Sequence, residues 1–194
     1  MRAPLSLLTV CGLDELDYHS GKGVTHVLSI LDPEWPEPDV FWAFDPHDRI
    51  TLHFHDAIEP APGIILPRVE DVMAILDFGQ TVVGDPDHLL VHCHAGVSRS
   101  TAAMAMILAQ TDPNRAEDDI LAHVTRIRPQ AWPNSRMVAF ADELLGRNGR
   151  LLEAVAKVYA QRLTVIPDWA GLMTRCGRGR EVEMARGLAP SKAG

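Results

Sequence analysis

An α/β fold, with a twisted central sheet flanked by helices, is predicted by three features of the chain. Four short runs rich in apolar and β-branched residues, at 5–10, 24–31, 50–55 and 88–92, have the length of strands. Segments of helical period lie between the last two runs and then fill the rest of the chain. The composition (46% hydrophobic, 23% charged over 194 residues) supplies one sizeable core. Strands alternating with helices place loops, and with them a site, at the carboxyl ends of the strands.

The first strand follows Arg2, which gives the start a superficial likeness to a secretion signal. No Ala-x-Ala site follows, and Asp14, Glu15 and Asp17 come at once. Leu8-Thr9-Val10-Cys11 fits a lipoprotein box poorly, because Val10 is bulky where a small residue is wanted. A short helical turn is expected at 13–19, closed by Gly21 and Gly23. Val24 to Leu31 reads as a strand stopped by Asp32-Pro33, and the Pro-rich 33–38 as a loop. The strand at 50–55 ends at Asp56. A helix over 66–83 presents Val69, Val72, Met73, Leu76 and Val83 on its apolar face, and a buried helix over 99–110 follows the fourth strand.

The second half is helical. Asn114-Arg115-Ala116-Glu117 has the form of a capping box, and Ile120, Leu121, Val124 and Ile127 keep helical period until Pro129. Pro133-Asn134 opens a helix ending at Gly146, and another runs 151–163. Residues 1–163 are expected to form the main domain, and 164–194 a partly irregular extension with a turn at Gly177-Arg178-Gly179-Arg180.

The densest chemistry lies at His92-Cys93-His94-Ala95-Gly96-Val97-Ser98-Arg99-Ser100. A loop between a buried strand and a helix N-terminus gathers backbone N–H groups and the positive end of the helix dipole, which together make an anion site. Arg99 adds a planar fork of donors matched to two phosphate oxygens. Gly96 lets the loop turn sharply without a Cβ. Cys93 at the floor of such a cradle is expected as the nucleophilic thiolate. Phosphate-ester cleavage through a thiophosphate follows, with no cofactor and no metal.

These nine residues resemble the His-Cys-x5-Arg-Ser/Thr signature of the cysteine-dependent protein tyrosine phosphatase superfamily, in its dual-specificity branch. The resemblance spans about residues 5–147 and is strongest at 90–100. It implies a phosphotyrosine protein phosphatase-like fold. It implies Cys93 as nucleophile, the loop His94, Ala95, Gly96, Val97, Ser98 and Arg99 as phosphate cradle, and Ser100 as the hydroxyl that helps sulfur leave. A proton donor is also needed. Asp56, in the family's register for that acid, is the choice over Asp45, Asp48 and Glu59. His92 would orient the loop. His94 would tune substrate choice or simply face solvent. Arg128-Pro129 and Pro133-Asn134 match further elements of the branch, and Asn134 would position the hydrolytic water or brace the site, with capping of the next helix as the alternative. The implied substrates are phosphorylated proteins or small phosphomonoesters. The loop lacks the lysines that superfamily members acting on inositol phosphates use.

Other readings fit less of the chain. A rhodanese-like sulfurtransferase uses a shorter loop and has no need of Asp56. A metal hydrolase built on His53, His55, Asp56, His92 and His94 leaves Cys93 and Arg99 unexplained. A non-catalytic phosphoprotein-binding module normally lacks one of the three reacting residues. The net charge of −8 argues against nucleic acid and an anionic membrane surface as partners, and no apolar run is long enough to span a bilayer. Three widely spaced cysteines form no disulfide framework, and a working thiolate favours the reducing cytoplasm. Cys11 and Cys176 read as ordinary residues, with a redox partnership to Cys93 as the alternative. Lys occurs only at 22, 157 and 192, a bias that a GC-rich bacterial genome would produce.

Overall fold

A computed structural model describes residues 7–82 and 88–188. Leu5 at the start of the first expected strand, Val83 on the expected helix face and the tail beyond Leu188 lie outside the described residues. Four strands, β1 (Leu7–Cys11), β2 (His26–Leu31), β3 (Asp48–His53) and β4 (His88–His92), form one all-parallel sheet in the order β1-β4-β2-β3. The α/β architecture expected from the sequence is the one observed. Because β4 is central, its carboxyl end opens between those of β1 and β2: His92 lies opposite Cys11 on one side and Ser29 on the other.

Side chains alternate across a strand, so the sheet has two cores. Leu89 and Val91 face the larger one, with Val10, Leu28, Ile30 and Phe54. Leu90 faces a smaller one with Cys11, Val27, Leu16, Phe41 and Phe44. Two short 3-10 helices, Leu13–His19 and Asp39–Ala43, cover that second face. Helices α1 (Val69–Thr81) and α2 (Arg99–Thr111) pack on the first. Helix α2 is buried from Arg99 to Ala109, which explains why it is apolar on nearly every side. Its alanines at 102, 103, 105 and 109 let α1, α3 (Glu117–Ile127) and α4 (Ser135–Leu144) approach closely.

Helix α5 (Arg150–Val165) is capped from a distance. The Asp142 carboxylate on α4 accepts from Gly149 N at 2.5 Å and from Leu151 N at 2.8 Å. The expected capping box at 114–117 does not form. The N-cap of α3 is Ala116, and the Glu117 carboxylate instead meets Arg147 at 3.1 Å and Arg150 at 3.0 Å. A long-range ion pair won over the local cap.

The described part of 164–194 is mostly helical. It forms α6 (Trp169–Arg175) and α7 (Gly179–Gly187). Gly177 does turn the chain, at φ +74°, but the turn leads directly into α7, whose Val182 and Ala185 join the main core. The sequence hides this because α7 is short and mostly polar; only a few of its residues face inward. No described helix is long and apolar enough to cross a membrane.

Candidate active site

The loop from Cys93 to Ser98 leaves β4 and enters α2 at Arg99, so a buried strand and a buried helix fix both of its ends. Its carbonyls are taken up from outside. His94 O accepts from Leu13 N at 2.9 Å, Val97 O from Trp132 N at 2.9 Å, and Ser98 O from Ala102 N at 3.0 Å. Arg128 spans two more, donating from Nη2 to Ala95 O and from Nε to Gly96 O, both at 3.0 Å. Glu15 holds that arginine at 2.7 Å and also accepts from Gly12 N at 2.6 Å. A peptide N–H points opposite to the carbonyl of its own plane, so outward carbonyls turn the N–H groups inward. Among the described residues, no N–H from His94 to Arg99 donates to a protein acceptor. The result is a ring of free donors.

Gly96 is required there twice over. Its φ is +67°, which side chains disfavour, and a Cβ would lie 2.5 Å from the Cys11 carbonyl carbon. Gly12 is tight as well, since a Cβ would sit 2.9 Å from His94 O.

Cys93 is 2% exposed, and its Sγ lies 3.2 Å from Ser100 Oγ. Arg99 is 3% exposed; its Nη1 donates to Asp32 Oδ1 and to Phe54 O, each at 2.6 Å. Its buried Nε has no acceptor. Asp32, read in the sequence as a strand stop, is therefore part of the site. Its backbone N–H also donates to His94 Nε2 at 3.1 Å, and Trp35 packs edge-on against the His94 ring. His94 is thus half-buried rather than solvent-facing. Burial lowers its pKa, with Asp32 opposing.

The His92 ring lies beside Phe41 in the smaller core, with ring centroids 5.6 Å apart. It is fully buried, with Nε2 2.6 Å from Ser29 Oγ on β2. Burial drives its pKa down from 6.5 to about 4, so the ring is neutral.

Asp56, three residues past β3, has one oxygen heavily engaged. Its Oδ1 accepts from Ser98 Oγ at 2.7 Å, Asn134 Nδ2 at 2.9 Å and Arg178 Nη1 at 3.0 Å. Burial pushes the carboxyl pKa up, but the charges of Arg178 and Arg99 and the bonds from Asn134 and Ser98 outweigh it and hold it below the usual range. Asn134 also caps α4, its Oδ1 accepting from Arg136 N at 3.1 Å and Met137 N at 3.2 Å. The competing acids lie apart from this network: Asp48 is exposed near His26, and Glu59 pairs at 3.6 Å with exposed Arg180.

Arg178 and Glu181 are what sequence reasoning missed. Arg178 is 4% exposed; besides Asp56 it reaches Ser98 Oγ at 3.0 Å and Glu181 at 2.7 Å. Glu181 is fully buried and accepts from Trp132 Nε1 at 2.5 Å and Ser135 N at 2.8 Å, with the Tyr159 hydroxyl at 3.2 Å. Tyr159 also bonds Pro133 O, and its ring stacks on Trp132 at 4.4 Å. The one sequence signal was an acid beside the buried stripe Val182 and Ala185.

A cavity of about 780 Å³ is lined by Cys93, Arg99, Asp56, Asp32, His94 and Arg178. Trp132, Trp169 and Met173 form an apolar wall, the latter two from α6. Cys176 lies on the same rim and is exposed. Cys11 is buried, and burial together with Glu15 pushes its thiol up to about 12, which keeps it protonated and unreactive. Among the described residues, no three His, Cys, Asp or Glu side chains group to hold a metal. His53 is exposed on β3, while His55 turns to Glu34 at 3.6 Å.

No family model matches the sequence, and no curated protein does. In structure the chain is similar to human DUSP28 at 18% identity, over 75% of this chain and 96% of that one, with a TM-score of 0.55. It is similar to DUSP15 at 22% identity (78% and 91% covered, TM-score 0.52). The active form of Tk-PTP matches at 21% identity (73% and 93%, TM-score 0.52). The chain has the fold of the dual-specificity phosphatases, and about a quarter of it lies outside each match.

Proposed function

We propose that the protein is a phosphomonoester hydrolase that works through a cysteinyl-phosphate on Cys93, acting on phosphotyrosine, phosphoserine or phosphothreonine in proteins. The observation that carries this reading is the partition of the loop: its carbonyls are satisfied outward, its N–H groups are free, and a buried cysteine and a buried arginine stand at its two ends. Preorganised donors of this kind favour an oxyanion whose charge redistributes during transfer.

In the first step Cys93 Sγ attacks phosphorus and the ester oxygen leaves with a proton from Asp56. Arg99 and the loop N–H groups hold the equatorial oxygens. In the second step water attacks the cysteinyl-phosphate, Asp56 takes its proton, and Ser100 donates to the departing sulfur, consistent with the 3.2 Å contact. The ionised state in which Asp56 is held suits the second step, and the first requires it to gain a proton beforehand. The expected catalytic unit, residues 1–163, extends in this reading to Leu188, because Arg178 touches Asp56. Three free cysteines suit a reducing compartment, and we assign the protein to the cytoplasm.

The test is hydrolysis of 4-nitrophenyl phosphate by the purified chain, with vanadate and EDTA as additions. Metal-independent turnover blocked by vanadate is expected. Cys93→Ser should lose turnover while still binding phosphate esters. Near-native activity in that variant would overturn the mechanism.

A further inference from the structure

The C-terminal segment does more than cover the core. Asp56 receives three donors, and all three converge on Oδ1. Two are neutral and come from the loop and the start of α4. The third is a guanidinium from the turn that opens α7. That guanidinium is itself tied down: Nη2 binds fully buried Glu181, and Glu181 is fixed by Trp132 and Ser135. The chain of contacts therefore runs from the main core to one oxygen of one carboxylate.

We propose that Arg178 is a positioning residue for Asp56: it pins Oδ1, so that Oδ2 is the oxygen left to exchange a proton with the leaving group and the attacking water. This rests on the reading of Asp56 as the acid given above. Surface ion pairs contribute little, but a buried and hydrogen-bonded one is strong and geometrically exact in its demands. The same contact also governs when the acid is charged. The charged or titratable groups facing Asp56 are Arg178 at α7, Arg99 on α2, and His94 and Cys93 in the loop, with Tyr159 on α5 and Glu181 on α7 behind Arg178. Arg178 is the largest of the groups that favour the carboxylate. Without its charge, burial would raise the proton affinity of Asp56.

The sign of the effect follows. The protonated acid is lost as pH rises through the pKa of Asp56, so turnover of an ester with a poor leaving group falls on that alkaline limb. Removing the positive charge at 178 moves the limb to higher pH.

The experiment is kcat against pH for phenyl phosphate and 4-nitrophenyl phosphate, in the full chain and in Arg178→Met and Arg178→Lys. With phenyl phosphate, Arg178→Met should shift the alkaline limb upward by about one pH unit or more, the ordinary effect of one adjacent charge. The nitrophenyl ester, which leaves without help, should respond much less. Arg178→Lys keeps the charge without the fork. It should leave the limb in place while lowering phenyl phosphate turnover more than nitrophenyl turnover. An unmoved limb in Arg178→Met overturns the proposal. Should Arg178→Met not fold, equal losses on both esters in Arg178→Lys overturn it instead. Wild-type chain inactive on both esters would sink the reading of the site and the proposal together, whereas an active chain whose limb ignores residue 178 sinks the proposal alone.

Discussion

The loop at 93–99 and the segment at 176–181 each bring one buried arginine to the same cavity, and they do so by opposite means. Arg99 is placed by local chain geometry, six residues after Cys93 and at the first position of a helix. Arg178 reaches Asp56 from far along the sequence, held by a fully buried glutamate that itself depends on a tryptophan, a backbone N–H and a tyrosine from other elements. The loop carries its cysteine, glycine and arginine at fixed offsets within one short stretch. The segment is a brace whose form depends on the whole core being assembled. A chemical group required at a fixed offset leaves a local signature, whereas a group required only at a point in space does not.

The contrast can be broken at its shared member. Asp56→Asn keeps the shape and the bond to Arg178 but removes the exchangeable proton. It should cost roughly 10²–10⁴-fold in turnover of phenyl phosphate and far less with the nitrophenyl ester. Steady-state kinetics on the two esters checks this, and equal losses would assign the acid elsewhere, with Asp32 the next carboxylate in reach of the site.

Stability separates the two regions further. Glu181→Ala leaves Arg178 buried without its closest anion and orphans Trp132 Nε1 and Ser135 N, so it should destabilise the fold by about 3–5 kcal/mol. In the loop, Ser98→Ala deletes a neutral hydroxyl and should cost only about 1 kcal/mol. Urea denaturation of both variants decides the point. Similar midpoints would mean that the segment is not braced through Glu181.

A smaller effect belongs to the floor beneath the loop. His92 is fully buried and its pKa is lowered from 6.5 to about 4 in the fold, so the folded state binds fewer protons than the unfolded chain between those values. Its contribution is complete above pH 6.5 and is lost as pH falls toward about 4. At about 1.4 kcal/mol for each pKa unit, the drop from 6.5 to about 4 amounts to about 3 kcal/mol. Denaturation followed from pH 7 to pH 4 in wild type and in His92→Asn should show a shallower pH dependence in the variant. An unchanged slope would mean that other groups carry the acid sensitivity.

How much was legible before the structure differs along the same line. The four strands, the buried helix after the loop and the pairing of Cys93 with Arg99 could be read from spacing and periodicity, because each is fixed by neighbours a few residues away, whereas Ser100 beside the sulfur was implied by the family resemblance. Asn134 was legible only as alternatives, and the structure puts its amide oxygen on the helix start and its nitrogen on Asp56. Asp32 does end its strand as the Asp-Pro pair suggests, but its contact with Arg99 was not legible, because nothing local says that an arginine will arrive there. The capping box at 114–117 failed for the same reason, since Arg147 and Arg150 come to Glu117 from another helix.

The sequence by itself determined the chemistry on offer: a thiol, a guanidinium and a glycine in a strand–loop–helix frame, which local sterics and hydrogen bonding fold in essentially one way. The tertiary structure alone decided the surroundings of that chemistry. It chose which carboxylate meets which arginine, turned the last helices inward, and set an apolar wall beside the loop at 93–99. The physical reason is one of range: backbone geometry and side-chain periodicity act over a few residues, whereas the pairing of buried charges is settled only when distant elements are desolvated together.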